Sequence, residues 1–146
     1  MQRLVSTLCT LLLLAVLGTA AANAQEPRLL TAARQLDLAT QHLAATVADE
    51  VRAGRVTPAQ AHGVEDLAVL ARGFRFDLEA YRYSSLQAEQ AWGEMSHSFL
   101  AARNELGDGG STRLHNEVFR VHDLMNRIDM GFGGPGFWPG EHGWAG

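Results

Sequence analysis

The chain has 146 residues, 47% of them hydrophobic, which suits one folded domain with a core and leaves little room for a second. Sixteen acidic residues outweigh twelve basic ones, all arginine, for a net charge of −4. That balance argues against nucleic acid as a partner, because duplex binding draws its affinity from basic side chains on phosphates, and no basic patch or aromatic-basic alternation occurs between Gln25 and Ile128.

Residues 1–24 read as a cleavable secretory signal. Arg3 supplies the positive start, Leu4 to Leu17 the apolar segment, and Ala22-Asn23-Ala24 the small-x-small cleavage site. The apolar segment is 14 residues long, against the roughly 20 that an uncleaved anchor needs. Cys9 lacks the small residues that would have to precede a lipidated cysteine. The expected mature protein therefore begins at Gln25, has no stable membrane span, and is exported to a periplasm or beyond the cell. It keeps 122 residues, all the acidic side chains and 11 arginines, a net charge of −5, and no cysteine. An exported domain without disulfides must be held by its apolar core, which favours an all-helical design.

Four segments then carry apolar residues at steps of three and four, the spacing of one helix stripe. The first, about 28–53, reads Leu29, Ala32, Leu36, Ala39, Leu43, Thr46, with Val47 and Val51 as the stripe drifts; Gly54 can close it. The second, about 58–82, reads Val64, Leu67, Ala71, Phe74, Leu78, Tyr81, and opens on Thr57-Pro58-Ala59-Gln60, a capping box with proline in the first turn. The third, about 85–106, reads Ala88, Trp92, Met95, Phe99, Ala102, Leu106. The fourth, about 112–130, reads Leu114, Val118, Val121, Met125, Ile128, behind Gly107-Asp108-Gly109-Gly110 and a capping Ser111 or Thr112.

The boundary near Tyr83-Ser84-Ser85 has no glycine or proline to enforce it, although Ser84 and Gln87 could form a capping box. A turn is expected there, because one helix from Pro58 to Leu106 would run about 73 Å and project beyond partners half its length. Short connections make neighbours antiparallel, and sustained three-four spacing favours crossing at about 20°. The expected fold is all-α: a left-handed, antiparallel, up-down four-helix bundle over residues 25–130, after a cleaved signal and before a flexible glycine- and aromatic-rich tail, residues 131–146.

Few residues in this frame point to chemistry. Glu94-Met95-Ser96-His97 has the Glu-x-x-His spacing of carboxylate-bridged metal bundles, but it occurs once and His97 falls off the apolar stripe. His62 groups with Glu65 and Asp66. His115 and His122 are seven residues apart, about 10.5 Å along an axis, too far to share an ion unless another helix helps. His97, His115 and His122 are thus the candidate metal ligands of an alternative reading, a metal-binding or metal-sensing periplasmic bundle. The size and architecture resemble exported four-helix haem proteins, yet a c-type haem needs Cys-x-x-Cys-His and the first helix has no methionine for a non-covalent one. With no mature cysteine or lysine and no serine in an elbow or triad context, no nucleophile suggests an enzyme, and no cofactor is expected. Arg72, Arg75 and Arg82 with Asp77 and Glu79 read as a mixed-charge outer face.

The tail supplies the remaining signal. Phe132, Phe137, Trp138 and Trp144 alternate with seven glycines, and Pro135 and Pro139 forbid a helix through the middle. Disordered segments usually lack large aromatics, whereas binding segments use them as anchors. The expectation is a non-enzymatic binding or interaction module of the cell envelope whose partner is an unknown envelope protein, or a small ligand in the helical seam, with Phe137, Trp138 and Trp144 as partner-binding residues.

Overall fold

The computed structural model describes residues 28–81, 85–107 and 109–132, and among them the chain is all helical, with four helices and no strand. They are α1 (28–52), α2 (Pro58–Tyr81), α3 (Ser85–Leu106) and α4 (Thr112–Gly131). The signal segment and the tail aromatics Phe137, Trp138 and Trp144 lie outside the described residues. Among those described, no helix is long and apolar enough to cross a membrane.

The helix ends follow the local chemistry. Gly54 closes α1 at φ +71°, a left-handed conformation that a side chain would strain. The Thr57 amide donates to Gln60 Oε1 at 2.9 Å and the Gln60 amide to Thr57 Oγ1 at 3.4 Å, so the capping box opens α2. Gln60 also reaches across, donating from Nε2 to the Glu105 carbonyl at 2.8 Å and satisfying a terminal acceptor of α3. Ser111, extended at φ −85° and ψ 162°, is the cap of α4 and accepts from the Leu114 amide.

The stripes form the core. Leu36, Leu43, Val47, Val64, Leu67, Phe74, Leu78, Met95, Phe99, Leu114, Met125 and Ile128 are all buried to within 2%. The stripes are slightly wider than their spacing suggests. Ala33 is fully buried on α1 where Ala32 is only partly so, and Leu124 is buried beside Met125 on α4. No single row of side chains fills the space among four helices, so each helix turns about 100° or more of its circumference inward.

Cross-helix contacts set the order. Asp37 meets Arg75 and Arg34 meets Glu79 between α1 and α2, their numbers running in opposite directions. Gln60 meets Glu105 between α2 and α3, which are therefore separate helices folded against each other. Phe99 stacks on His122 and Trp92 donates to Asp129 between α3 and α4. Glu50 meets Ser111 between α1 and α4, and at the far end of the same pair Leu29 lies 3.1 Å from where a Cβ on Gly131 would stand. Every sequential pair, and the pair that closes the bundle, is antiparallel. The α2–α3 approach is close at Gly63, where a Cβ would stand 3.4 Å from the Ala102 Cα and 2.8 Å from Glu105 Oε2, the end of an exposed side chain that can swing aside.

Candidate functional site

The two ends of the bundle are built differently. At one, the α1–α2 and α3–α4 connections are pinned by a buried carboxylate. Glu50 continues the stripe Leu43, Val47 by a step of three and is only 2% exposed. Arg55 approaches it with Nε at 2.6 Å and Nη2 at 3.1 Å, and the Ser111 hydroxyl donates at 2.6 Å. The Arg55 hydrogen bonds, helped by Ser111 and opposed by desolvation, hold the Glu50 carboxyl down to about 2. One charge thus ties the loop after α1 to the cap of α4.

Along the α1–α2 seam runs a second polar network. Asp37 is 5% exposed and accepts from Arg75 Nε at 2.8 Å and Gln41 Nε2 at 2.7 Å, with Arg72 Nε at 4.0 Å. Arg75 Nη1 goes on to Glu79 at 3.0 Å, and Arg34 reaches the other Glu79 oxygen at 3.0 Å. These bonds, Arg34 first, lower the Glu79 carboxyl below its usual range. Arg75 and Glu79 are therefore not merely an outer solvated face, as the sequence suggested. Position 75 follows the buried Phe74 by one residue, which turns its long side chain into the groove beside α1, where Asp37 waits.

The other end is aromatic. Phe74, Trp92 and Phe132 surround one another with centroids 5.6, 6.3 and 6.2 Å apart, all tilted, the arrangement that ring quadrupoles favour. Trp92 donates from Nε1 to Asp129 at 3.3 Å. Helix α4 continues through Gly131, and the Phe132 amide bonds the Ile128 and Asp129 carbonyls, so the first aromatic of the glycine-rich stretch belongs to the packed bundle. Helix α1 starts beside Leu29 at this same end.

The histidines are scattered. His97 and Glu94 are exposed on α3, on the side away from the core. His62 lies on the surface 4.0 Å from Glu65 and 3.9 Å from Asp66. His115 Nδ1 sits 3.0 Å from the Ser111 carbonyl, and His122 lies between the rings of Phe99 and Phe119, with both centroids 6.3 Å away. His97, His115 and His122 are not brought together, and among the described residues no group of three or more histidine, cysteine, aspartate or glutamate side chains could hold a metal ion.

Glu50 and Asp37 are the buried charged residues, among those described, that apolar periodicity passes over. The signal was present for Glu50, a charge at a stripe position, since a carboxylate there must find a partner. Asp37 gave a weaker one, flanking Leu36 on the inward side. No protein-family model matches the chain, and no curated protein or solved structure matches it.

Proposed function

We propose that this chain is an exported, periplasmic binding module. A left-handed, antiparallel bundle serves as a rigid base, and the C-terminal aromatics Phe137, Trp138 and Trp144 dock an envelope partner. The observation that carries the reading is the seating of Phe132 on Phe74 and Trp92. It fixes the root of the aromatic segment on the folded domain, five residues before Phe137. A docking segment tethered at its root loses less freedom on binding than a free chain, and large aromatics are the side chains that concentrate binding energy. The mature net charge of −5 directs the reading to a protein partner rather than to nucleic acid.

The test is a photoreactive amino acid placed at Trp138, at Trp144, or at exposed Ala48 on α1, followed by irradiation of producing cells. A single adduct mass from positions 138 and 144, absent from 48, is the expected result. Equal labelling at all three, or none, overturns the docking role. Intact mass of the same material tests export: the chain should start at Gln25, and one retaining Leu4 to Leu17 contradicts it.

A further inference from the structure

The inward seam of α2 is filled by Val64, Leu67, Ala71, Phe74 and Leu78, yet its outward surface carries a second stripe. His62, Val69 and Phe76 follow at seven-residue spacing, about 10.5 Å apart, with the two apolar members 68% and 53% exposed. Seven-residue repeats make a nearly straight ridge, the geometry of a helix-helix seam. Beside the ridge, a Cβ on Gly73 would meet nothing within 4 Å among the described residues, so no contact among them calls for glycine there. On α1, Leu38, one residue past the aspartate that holds Arg75, is also 59% exposed. The Arg75 guanidinium lies over the Phe76 ring at 4.2 Å, and the ring is still 53% exposed.

The charges beside this ridge are self-complementary in one orientation. Glu65 and Arg72, with side chains 71% and 55% exposed, lie on the same flank, one on each side of Val69. If two α2 helices cross antiparallel on a two-fold axis through Val69, position 62 faces 76, and 65 faces 72, each twice. Val69 then packs on its own copy, His62 lies against Phe76, Glu65 pairs with Arg72 on both sides of the axis, and Asp66 falls opposite Gly73, where no side chain obstructs it. A parallel crossing turns the flanks over, setting Glu65 beside Asp66 of the copy and leaving Arg72 opposite Gly73 with no acid to pair. Such matching across an isologous interface is what a closed two-fold dimer demands.

We propose that the outer face of α2 is a homodimer interface, occupied by a second copy of this chain in antiparallel orientation, with Val69 on the axis and reciprocal Glu65–Arg72 pairs. It is independent of the docking role given to the C-terminal aromatics. The test is sedimentation of the protein as the producing cell releases it, with a charge swap. Wild type should show a concentration-dependent monomer-dimer equilibrium, and Glu65→Arg or Arg72→Glu alone should weaken it by roughly tenfold or more. The double variant Glu65→Arg/Arg72→Glu should recover most of the loss. Because Arg72 also lies near Asp37, a circular dichroism melt of each variant separates misfolding from dissociation, and Glu65→Arg carries the test if Arg72→Glu unfolds. Val69→Cys should oxidise readily to a covalent dimer, since the axis brings the two residues 69 together. A strictly monomeric wild type, a dimer indifferent to both reversals, or single losses that the double swap does not repair would each overturn the proposal.

Discussion

Ser111 donates its hydroxyl to Glu50 at 2.6 Å across 61 residues of sequence, while the same oxygen accepts the Leu114 amide at 3.3 Å. The carboxyl so held titrates at about 2 instead of its ordinary 4.5, with the Arg55 hydrogen bonds as the largest cause. The unfolded chain therefore binds a proton that the folded chain refuses over that interval. Stability from this group is complete above about pH 4.5 and is lost as pH falls towards 2. Melting temperature should decline through this window, and Glu50→Gln should be less stable at neutral pH but flatter in its acid dependence. A melting series from pH 6 down to pH 2, run on both proteins, makes the comparison; parallel curves would show that other carboxyls govern acid unfolding.

The double role of Ser111 gives a separate test. Ser111→Ala removes the cap and should cost about 1 kcal/mol, a fall of roughly 3–5 °C in a domain of this size. Aspartate caps a helix as well as serine does, but Ser111→Asp sets a second carboxylate against Glu50. If the serine only capped, the aspartate variant would match wild type at neutral pH. The bridge to Glu50 predicts instead that it melts below wild type and gains on it as the pH is lowered.

Leu78, the fifth residue of the second stripe, is 2% exposed. Leu78→Asp should forfeit roughly 1.5–3 kcal/mol of burial and add the cost of an unpaired buried carboxylate. Against a typical total of about 5–15 kcal/mol, it should leave the domain unfolded or nearly so. Glu79, one step round the helix, is a poor tolerated control despite its surface position, because it accepts from both Arg34 and Arg75. Ala80 is exposed and serves better; Ala80→Asp should leave the far-ultraviolet spectrum and the melting temperature close to wild type. Equal damage at 78 and 80 would contradict the inward assignment of the stripe.

The contrast between residues 78 and 79 also marks where the sequence stopped being legible. Apolar spacing located four helices to within about a residue, because burial of a stripe is a property of each helix alone and the caps at Thr57, Gly54 and Ser111 are local chemistry. Which helices lie side by side is not local. Arg75 and Glu79 look solvated on α2 until α1 is placed alongside, and only then does Asp37 become the buried partner of Arg75. Glu50 was readable as an anomaly on its stripe, but Arg55 and Ser111 become its partners only when the loop and α4 converge. The candidate docking aromatics rest on composition, since neither spacing nor capping acts on a stretch so rich in glycine.

Phe132 is where that composition meets the packed domain, and it separates two roles for the C-terminal stretch. Its ring lies 6.3 Å from Phe74 and 6.2 Å from Trp92, and its amide closes the last turn of α4. Phe132→Ala should therefore cost about 1–3 kcal/mol, less than a fully buried phenylalanine because the site is half open. The loss should appear as a fall of several degrees or more in melting temperature and as a change in Trp92 emission. Removing residues 133–146 while keeping Phe132 should leave helicity and melting temperature nearly unchanged, and should abolish the photo-adducts expected from positions 138 and 144 by removing those positions. If the truncation lowers the melting temperature as much as Phe132→Ala does, then Trp138 or Trp144 packs on the bundle, and the segment is a structural strap rather than a docking arm.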